Sequence, residues 1–281
     1  SGGTNNQCYW STFLSLAHFQ NKKIMSIEVN NLSWEIEGKS IISNISLRID
    51  EGEILTVIGP NGAGKSSFMK LLSGDIETYF GEIYFNGVLL NDISIQERSF
   101  IRSVMSQSQE IVYDYSVKEI IEMGWLNRGL SNYSKDFDEA IQKIAIECSV
   151  ENHLEQRFNT LSGGEKRRVH FARTLIQLWR PSGSLEPRYM FLDEPTANLD
   201  ILHEQKMMKL IEKKKNEGIG VLLILHDLNL AAKYSNRIAI FSNGELVDIG
   251  KPKTVLTDKT LSSIYGLEMK IDKNPFRINY Y

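Results

Sequence analysis

Residues 59–66 read Gly-Pro-Asn-Gly-Ala-Gly-Lys-Ser, which satisfies the spacing G-x-x-x-x-G-K-[ST]. The chemistry of that pattern is anion capture. Gly59, Gly62 and Gly64 let the backbone turn successive N–H groups toward one point, and Pro60, Asn61 and Ala63 fill the turn between them. Lys65 adds a full positive charge, Ser66 a hydroxyl suited to a magnesium ion, and Ser67 continues into a helix whose amino end carries partial positive charge. A second reactive pair stands at Asp193-Glu194, directly after the apolar run Tyr189–Leu192. Two carboxylates at the carboxyl end of a buried strand lie where open α/β sheets bind ligands. Asp193 is assigned to a magnesium shell and Glu194 to an attacking water as general base. His226 follows the run Val221–Leu225 and is placed on the same rim, where it would hold the γ-phosphate, water and base in line. Together these residues read as a site for a nucleoside triphosphate with Mg²⁺.

The elements needed to position these groups are legible as patterns. Short Val/Ile/Leu-rich runs at Ile27–Asn31, Ile54–Ile58, Glu82–Phe85, Tyr189–Leu192, Val221–Leu225, Arg237–Phe241 and Glu245–Asp248 are too short for buried helices and read as strands. Helical patterns at Lys65–Ser73, Arg167–Leu178 and Ile201–Glu217 alternate with them, predicting an α/β layer with a parallel sheet. From about Arg98 to Thr160 the rhythm changes, with helical segments near Val117–Met123 and Asp136–Cys148; this predicts a helical lobe inserted into the core. The run Lys213-Lys214-Lys215 reads as a solvated helix end, and the histidines other than His226 read as surface or packing residues.

Composition excludes several classes. The 281 residues are 42% hydrophobic and 24% charged, which is ordinary for a globular chain, and the net charge of −3 lacks the basic excess that a nucleic-acid partner calls for. No apolar run approaches the roughly 20 residues that span a bilayer. Cys8 and Cys148 have no metal-cage spacing and fit a reducing compartment such as the cytoplasm. Residues 1–24 read as a peripheral or non-native extension: Ser1-Gly2-Gly3 looks appended, and Tyr9–Phe19 lacks the features of a signal peptide. Residues 25–281 are read as the functional domain.

A second glycine motif, Leu161-Ser162-Gly163-Gly164-Glu165, precedes the helix at Arg167. Ser162 and Glu165 have capping-box spacing, while two glycines behind the cap favour the approach of a phosphate over helix stability. One triphosphate does not need two such elements, so the second is expected to serve the nucleotide of another chain.

With these motifs in order, residues 25–270 resemble the ATP-binding cassette family. LSGGE at 161–165 stands where that family has its signature, Tyr189–Asp193 with Glu194 where it has its second nucleotide motif and catalytic glutamate, Asn198-Leu199-Asp200 at its D-loop, His226 at its switch histidine and Gln107 at its Q-loop. The resemblance implies a P-loop NTPase (RecA-like) core with an antiparallel β subdomain and a helical subdomain. It implies a head-to-tail homodimer in which Ser162, Gly163 and Gly164 of one chain, with Asp200, close on the nucleotide held by Lys65 of the other. Gln107 would join Ser66 and Asp193 at the metal and report nucleotide state to two membrane permease subunits, with a periplasmic substrate-binding protein engaged indirectly. The position of the usual adenine-stacking aromatic aligns with Ile36, and Trp34 stands two residues earlier. The family's common proline before the Q-loop glutamine is Ser106 here, and its common glutamine at the end of the signature is Glu165.

The long spacing from Ser162 to Asp193, with Gln177-Leu178-Trp179 in the added stretch, and His226-Asp227-Leu228-Asn229-Leu230-Ala231-Ala232 are similar to the ATP-binding subunits of haemin importers. That likeness implies an ATPase at the cytoplasmic face of the inner membrane. The alternative is the ATPase of a ferric-siderophore or cobalamin importer, which shares the histidine motif. A soluble, non-transport cassette ATPase predicts fused cassettes or a long coiled-coil insertion, and the sequence shows neither; a non-hydrolysing scaffold is opposed by Glu194.

Overall fold

The computed structural model describes residues 25–78, 80–107, 111–128, 136–180 and 186–280. The expectation for residues 1–24 therefore lies outside the described residues. Strands β1 (Ser26–Ile36) and β2 (Lys39–Asp50) form a hairpin, followed by β3 (Ile54–Ile58), helix α1 (Lys65–Ser73), β4 (Phe80–Phe85), β5 (Val88–Leu89), α2 (Ile95–Ile101) and β6 (Arg102–Met105). The helical part contains α3 (Val117–Glu122), α4 (Phe137–Glu147) and α5 (Gly163–Gln177). Then come β7 (Tyr189–Asp193), α6 (Ile201–Asn216), β8 (Gly220–Ile224), α7 (Leu228–Tyr234), β9 (Arg237–Ser242), β10 (Glu245–Gly250), α8 (Pro252–Val255), α9 (Asp258–Tyr265), β11 (Met269–Lys273) and β12 (Phe276–Tyr280).

The central sheet has the order β10-β9-β3-β8-β7-β6, and a separate antiparallel sheet has the order β2-β1-β4-β5. Every pairing in the central sheet is parallel except that of β10 with β9. All five residues of each of β3, β7 and β8 are buried, as a parallel sheet covered on both faces requires. The period of two in a strand divides them between two cores. Ile54, Ile58, Met190, Leu192, Val221 and Leu223 face the apolar cluster shared with α3, α4 and α5. Leu55, Val57, Tyr189, Phe191, Leu222 and Ile224 face the cluster shared with α1 and the antiparallel sheet. The three parts implied by the sequence are thus an α/β core, an antiparallel layer on one face and helices on the other.

Three differences from the sequence reading have physical reasons. Within the stretch 98–160 expected as a helical lobe, Arg102–Met105 is instead a strand paired in parallel with β7, preceded by the end of α2 and followed by α3 and α4. It is four residues long and sits at the sheet edge with only alternate residues buried, too weak a pattern to register as an apolar run. β2 escaped for a related reason, since its burial alternates between the core and solvent. Lys213 and Lys214, expected to be solvated, pair with Glu147 of α4 at 2.6 and 3.0 Å and tie the helical part to α6.

The carboxyl-terminal hairpin β11–β12 is pinned to α7. The Asn229 side chain donates to the Ile278 carbonyl (3.2 Å) and accepts from the Ile278 N–H (2.9 Å), completing a two-bond clasp beside the rim that carries His226.

Candidate active site

β3 runs out of the core at Ile58 and turns at Gly59, where φ is +149°. A Cβ on Gly59 would stand 2.1 Å from the Phe241 carbonyl oxygen, so only glycine lets the loop leave the sheet beside β9. Gly64 ends the loop at φ +94° as the N-cap of α1 and supplies no side-chain cap. The first amides of α1 therefore remain available to an anion. Pro60, Asn61, Gly62 and Ala63 form the turn between, with Ala63 buried and Asn61 and Gly62 exposed; Ser66 and Ser67 are half-buried on the first turn of α1. The Lys65 ammonium is buried inside this loop and donates to the carbonyls of Gly59 (2.7 Å) and Pro60 (2.9 Å). Burial lowers its pKa, opposed by Glu194 and Asp193.

β7 carries Asp193 to the same end of the sheet. Asp193 is 2% exposed, bonds the Ser66 hydroxyl, and keeps one buried carboxylate oxygen, Oδ1, that has no hydrogen-bond partner among the described residues. Burial holds its pKa above the ordinary carboxylate range; Glu194 pushes the same way, while Ser66, Arg167 and Lys65 pull back. An orphaned, desolvated oxygen beside a serine hydroxyl is a donor set that fits a hard divalent cation. Glu194 follows in left-handed backbone, φ +49°, with its N–H donating to the Ile224 carbonyl of β8 (3.0 Å). This turn swings its carboxylate out to His226, whose Nε2 lies 2.5 Å from Oε1. The phosphate loop, Asp193, Glu194 and His226 thus converge on one rim from β3, β7 and β8.

Gln107 lies two residues beyond β6, the neighbour of β7, and is exposed. What fixes its loop is a residue that the sequence reading passed over. Arg167, a turn into α5, is 8% exposed, and its guanidinium donates to the carbonyls of Ser106 (3.4 Å), Gln107 (2.9 Å), Pro195 (3.2 Å), Asp193 and Glu194. Arg167 shares its helix face with Phe171 and Thr174 at i+4 and i+7, and all three are buried, but an arginine and a threonine do not make an apolar stripe that the sequence could show.

Ser162 caps α5, its hydroxyl accepting from the Glu165 N–H while the Glu165 carboxylate accepts from the Ser162 N–H (2.8 Å), so the capping box forms. The helix starts at Gly163, earlier than the expected Arg167, because the box holds both glycines in its first turn. A hollow there is lined by Ser162, Gly163, Gly164, Glu165, Arg168, Asn198, Leu199, Asp200 and His203. None of its lining comes from residues 59–67. Gly164 packs closely on the D-loop: a Cβ would lie 3.1 Å from the Asn198 carbonyl oxygen, a tight contact. Asp200 is engaged as the N-cap of α6, accepting from the His203 N–H at 2.8 Å. Of the two residues considered for the nucleotide base, Trp34 is half-buried against the antiparallel-sheet cluster, whereas Ile36 is 46% exposed at the end of β1. The remaining described histidines pack or pair locally: His170 is buried with its ring against Phe158, and His153 bonds Gln156.

A sequence model of the ABC transporter family matches residues 42–197, a span that runs from β2 through both nucleotide motifs. The chain belongs to the ABC transporter family. It is 38% identical over 250 residues to the hemin import ATP-binding protein HmuV of Escherichia coli O157:H7, covering 89% of this chain and 95% of that protein. It is 36% identical over 249 residues to the hemin import ATP-binding protein HmuV of Pseudoalteromonas translucida strain TAC 125, covering 87% of this chain and 94% of the relative. Among solved structures, an ATP-binding subunit of an ABC transporter superposes with a TM-score of 0.72 at 24% identity, covering 86% of this chain and 95% of the other. That likeness shows a shared fold. As an ABC transporter ATPase, the chain has ATP as its substrate. Among the described residues no helix is long and apolar enough to cross a membrane.

The buried Asp193 charge has a measurable consequence. Burial and the neighbouring Glu194 raise the pKa of Asp193 in the folded chain, so its ionisation weakens the fold, and that cost is lost as pH falls through the raised folded-state pKa. Asp193→Asn is expected to raise the thermal midpoint of the nucleotide-free chain by about 2–4 °C, the shift that ~1 kcal/mol gives at this size, while abolishing Mg²⁺-dependent turnover. A lowered midpoint in differential scanning calorimetry would contradict the reading of Asp193 as an uncompensated charge.

Proposed function

We propose that this chain is the ATP-binding and ATP-hydrolysing subunit of a bacterial importer that moves haemin across the inner membrane. The observation carrying the ATPase chemistry is the convergence of the Lys65 loop, Asp193 and the 2.5 Å Glu194–His226 pair on one sheet rim. The choice of cargo rests on the two relatives named for hemin import, which this chain matches over nearly their whole length.

In this mechanism the triphosphate lies against the N–H groups of the loop from Asn61 to Ser67, with Lys65 exchanging its loop carbonyls for phosphate oxygens. Ile36 offers an apolar, exposed surface for the base, with Trp34 behind it. Mg²⁺ would be held by Ser66, Asp193 and Gln107, where it neutralises phosphate charge. Glu194 takes the proton of the attacking water, and His226 fixes the carboxylate and faces the γ-phosphate. The hollow of Ser162, Gly163 and Gly164 receives the γ-phosphate of a second copy, since it is built without any part of its own phosphate loop. Two such chains act as a head-to-tail homodimer on two permease subunits at the cytoplasmic face of the membrane. The periplasmic binding protein is engaged through the permease, and cargo specificity resides in those partners rather than in this site.

Glu194→Gln is expected to bind ATP with nearly unchanged affinity and to lose turnover by roughly 10²–10⁴-fold, the contribution of a positioned base. Steady-state hydrolysis near the wild-type rate would remove Glu194 from that role. The head-to-tail arrangement is checked by mixing a Ser162→Arg chain with a Lys65→Ala chain: each alone is inactive, and the mixture recovers activity because one site per heterodimer is intact. A mixture as inactive as its parts would contradict the arrangement. For the cargo, the chain reconstituted with its permease in vesicles should couple ATP hydrolysis to haemin uptake. Uptake of a ferric siderophore or cobalamin in place of haemin would replace the haemin assignment while leaving the ATPase chemistry intact.

A further inference from the structure

A guanidinium carries five N–H donors in a rigid plane, and Arg167 uses them on five backbone carbonyls: Nε on Pro195, one terminal nitrogen on Ser106 and Gln107, the other on Asp193 and Glu194. Its charge is not neutralised by a directly bonded carboxylate; burial lowers its pKa while the nearby charges of Asp193 and Glu194 raise it. The five acceptors belong to two separate pieces of chain, the loop after β6 and the end of β7 with the turn that follows it. The arginine itself stands one turn into α5, the helix that begins at the Ser162–Gly164 motif. One side chain therefore joins the Gln107 loop, the acid pair and the signature helix. Glu194, at φ +49°, occupies backbone that a non-glycine residue keeps only when its surroundings hold it there.

We propose that Arg167 is a positioning residue for ATP hydrolysis, locking the Gln107 loop and the Asp193–Pro195 turn into one frame so that Glu194 is aimed only when the Gln107 loop and α5 are in register with it. The proposal rests on Glu194 being the base. It gives α5 a direct mechanical path to both halves of the hydrolytic site, independent of any side chain that touches nucleotide. Lysine cannot substitute, because its ammonium is a point donor that cannot span two loops; glutamine has two N–H donors and a shorter reach.

The test uses the full-length chain with Arg167→Lys and Arg167→Gln, measuring ATP affinity by calorimetry, kcat and KM for hydrolysis, and thermal unfolding. Both variants are expected to stay folded and to bind ATP within about threefold of wild type, while kcat falls roughly tenfold or more, as misplacement of a reacting group does. Adding Gln107→Ala to Arg167→Gln should cost less than the two single losses multiplied, since both act through one frame. A kcat close to wild type, or full rescue by lysine, overturns the proposal. So does loss of folding or a fall in ATP affinity that matches the fall in kcat, either of which makes Arg167 a purely structural residue. A wild-type chain that does not hydrolyse ATP overturns both this proposal and the assignment of Glu194; a wild type that does, with unaffected variants, overturns this proposal alone.

Discussion

The site is arranged around negative charge held out of water at the carboxyl end of β7. Asp193 is almost wholly buried and one of its oxygens has no partner among the described residues, an expensive state for a carboxylate unless a cation is brought to it. Two fixed cations stand nearby, Lys65 and Arg167, but neither is spent on that oxygen. Lys65 is turned into its own loop, and Arg167 is saturated by carbonyls. The Ser66 hydroxyl hydrogen-bonds the Asp193 carboxylate. The arrangement leaves an electrostatic demand that, in the mechanism proposed, a metal-bound triphosphate would answer from the other side.

The fold serves that demand by keeping the sheet rigid and placing the variable parts around it. Alternate side chains of β3, β7 and β8 are committed to two separate apolar clusters, so neither strand register nor strand height is free to drift. The rim residues Gly59, Asp193, Glu194 and His226 inherit that precision. The helices α3, α4 and α5 pack on one face of that sheet through a shared apolar cluster. Polar links add to it: the Glu147 pairs with Lys213 and Lys214, and the Arg167 bonds to the Gln107 loop.

Much of this was legible in residue types and spacing, because the chemistry admits few substitutes. A glycine is forced at 59 by the Phe241 carbonyl, so that position announces itself. The all-buried strands read as apolar runs for the same reason that they form the sheet centre. The parts that escaped lie where the pattern is diluted. β2 alternates between core and solvent, and β6 is a four-residue edge. Arg167 was hidden inside Lys166-Arg167-Arg168, a run whose neighbours in sequence suggest a solvated helix face. Its role comes from three-dimensional closure, five carbonyls from two loops meeting one plane, and backbone acceptors leave no trace in side-chain identity.

The central claim is that Asp193 and Ser66 define the place where a divalent cation meets the phosphate loop. Anomalous diffraction from crystals of the chain grown with ATP and Mn²⁺ tests it directly. The account predicts a single manganese peak between the triphosphate and the β7 rim, bound by the Ser66 hydroxyl and facing the Asp193 oxygen that has no partner among the described residues. A manganese peak elsewhere on the triphosphate, with Asp193 turned to Lys65 instead, would contradict it.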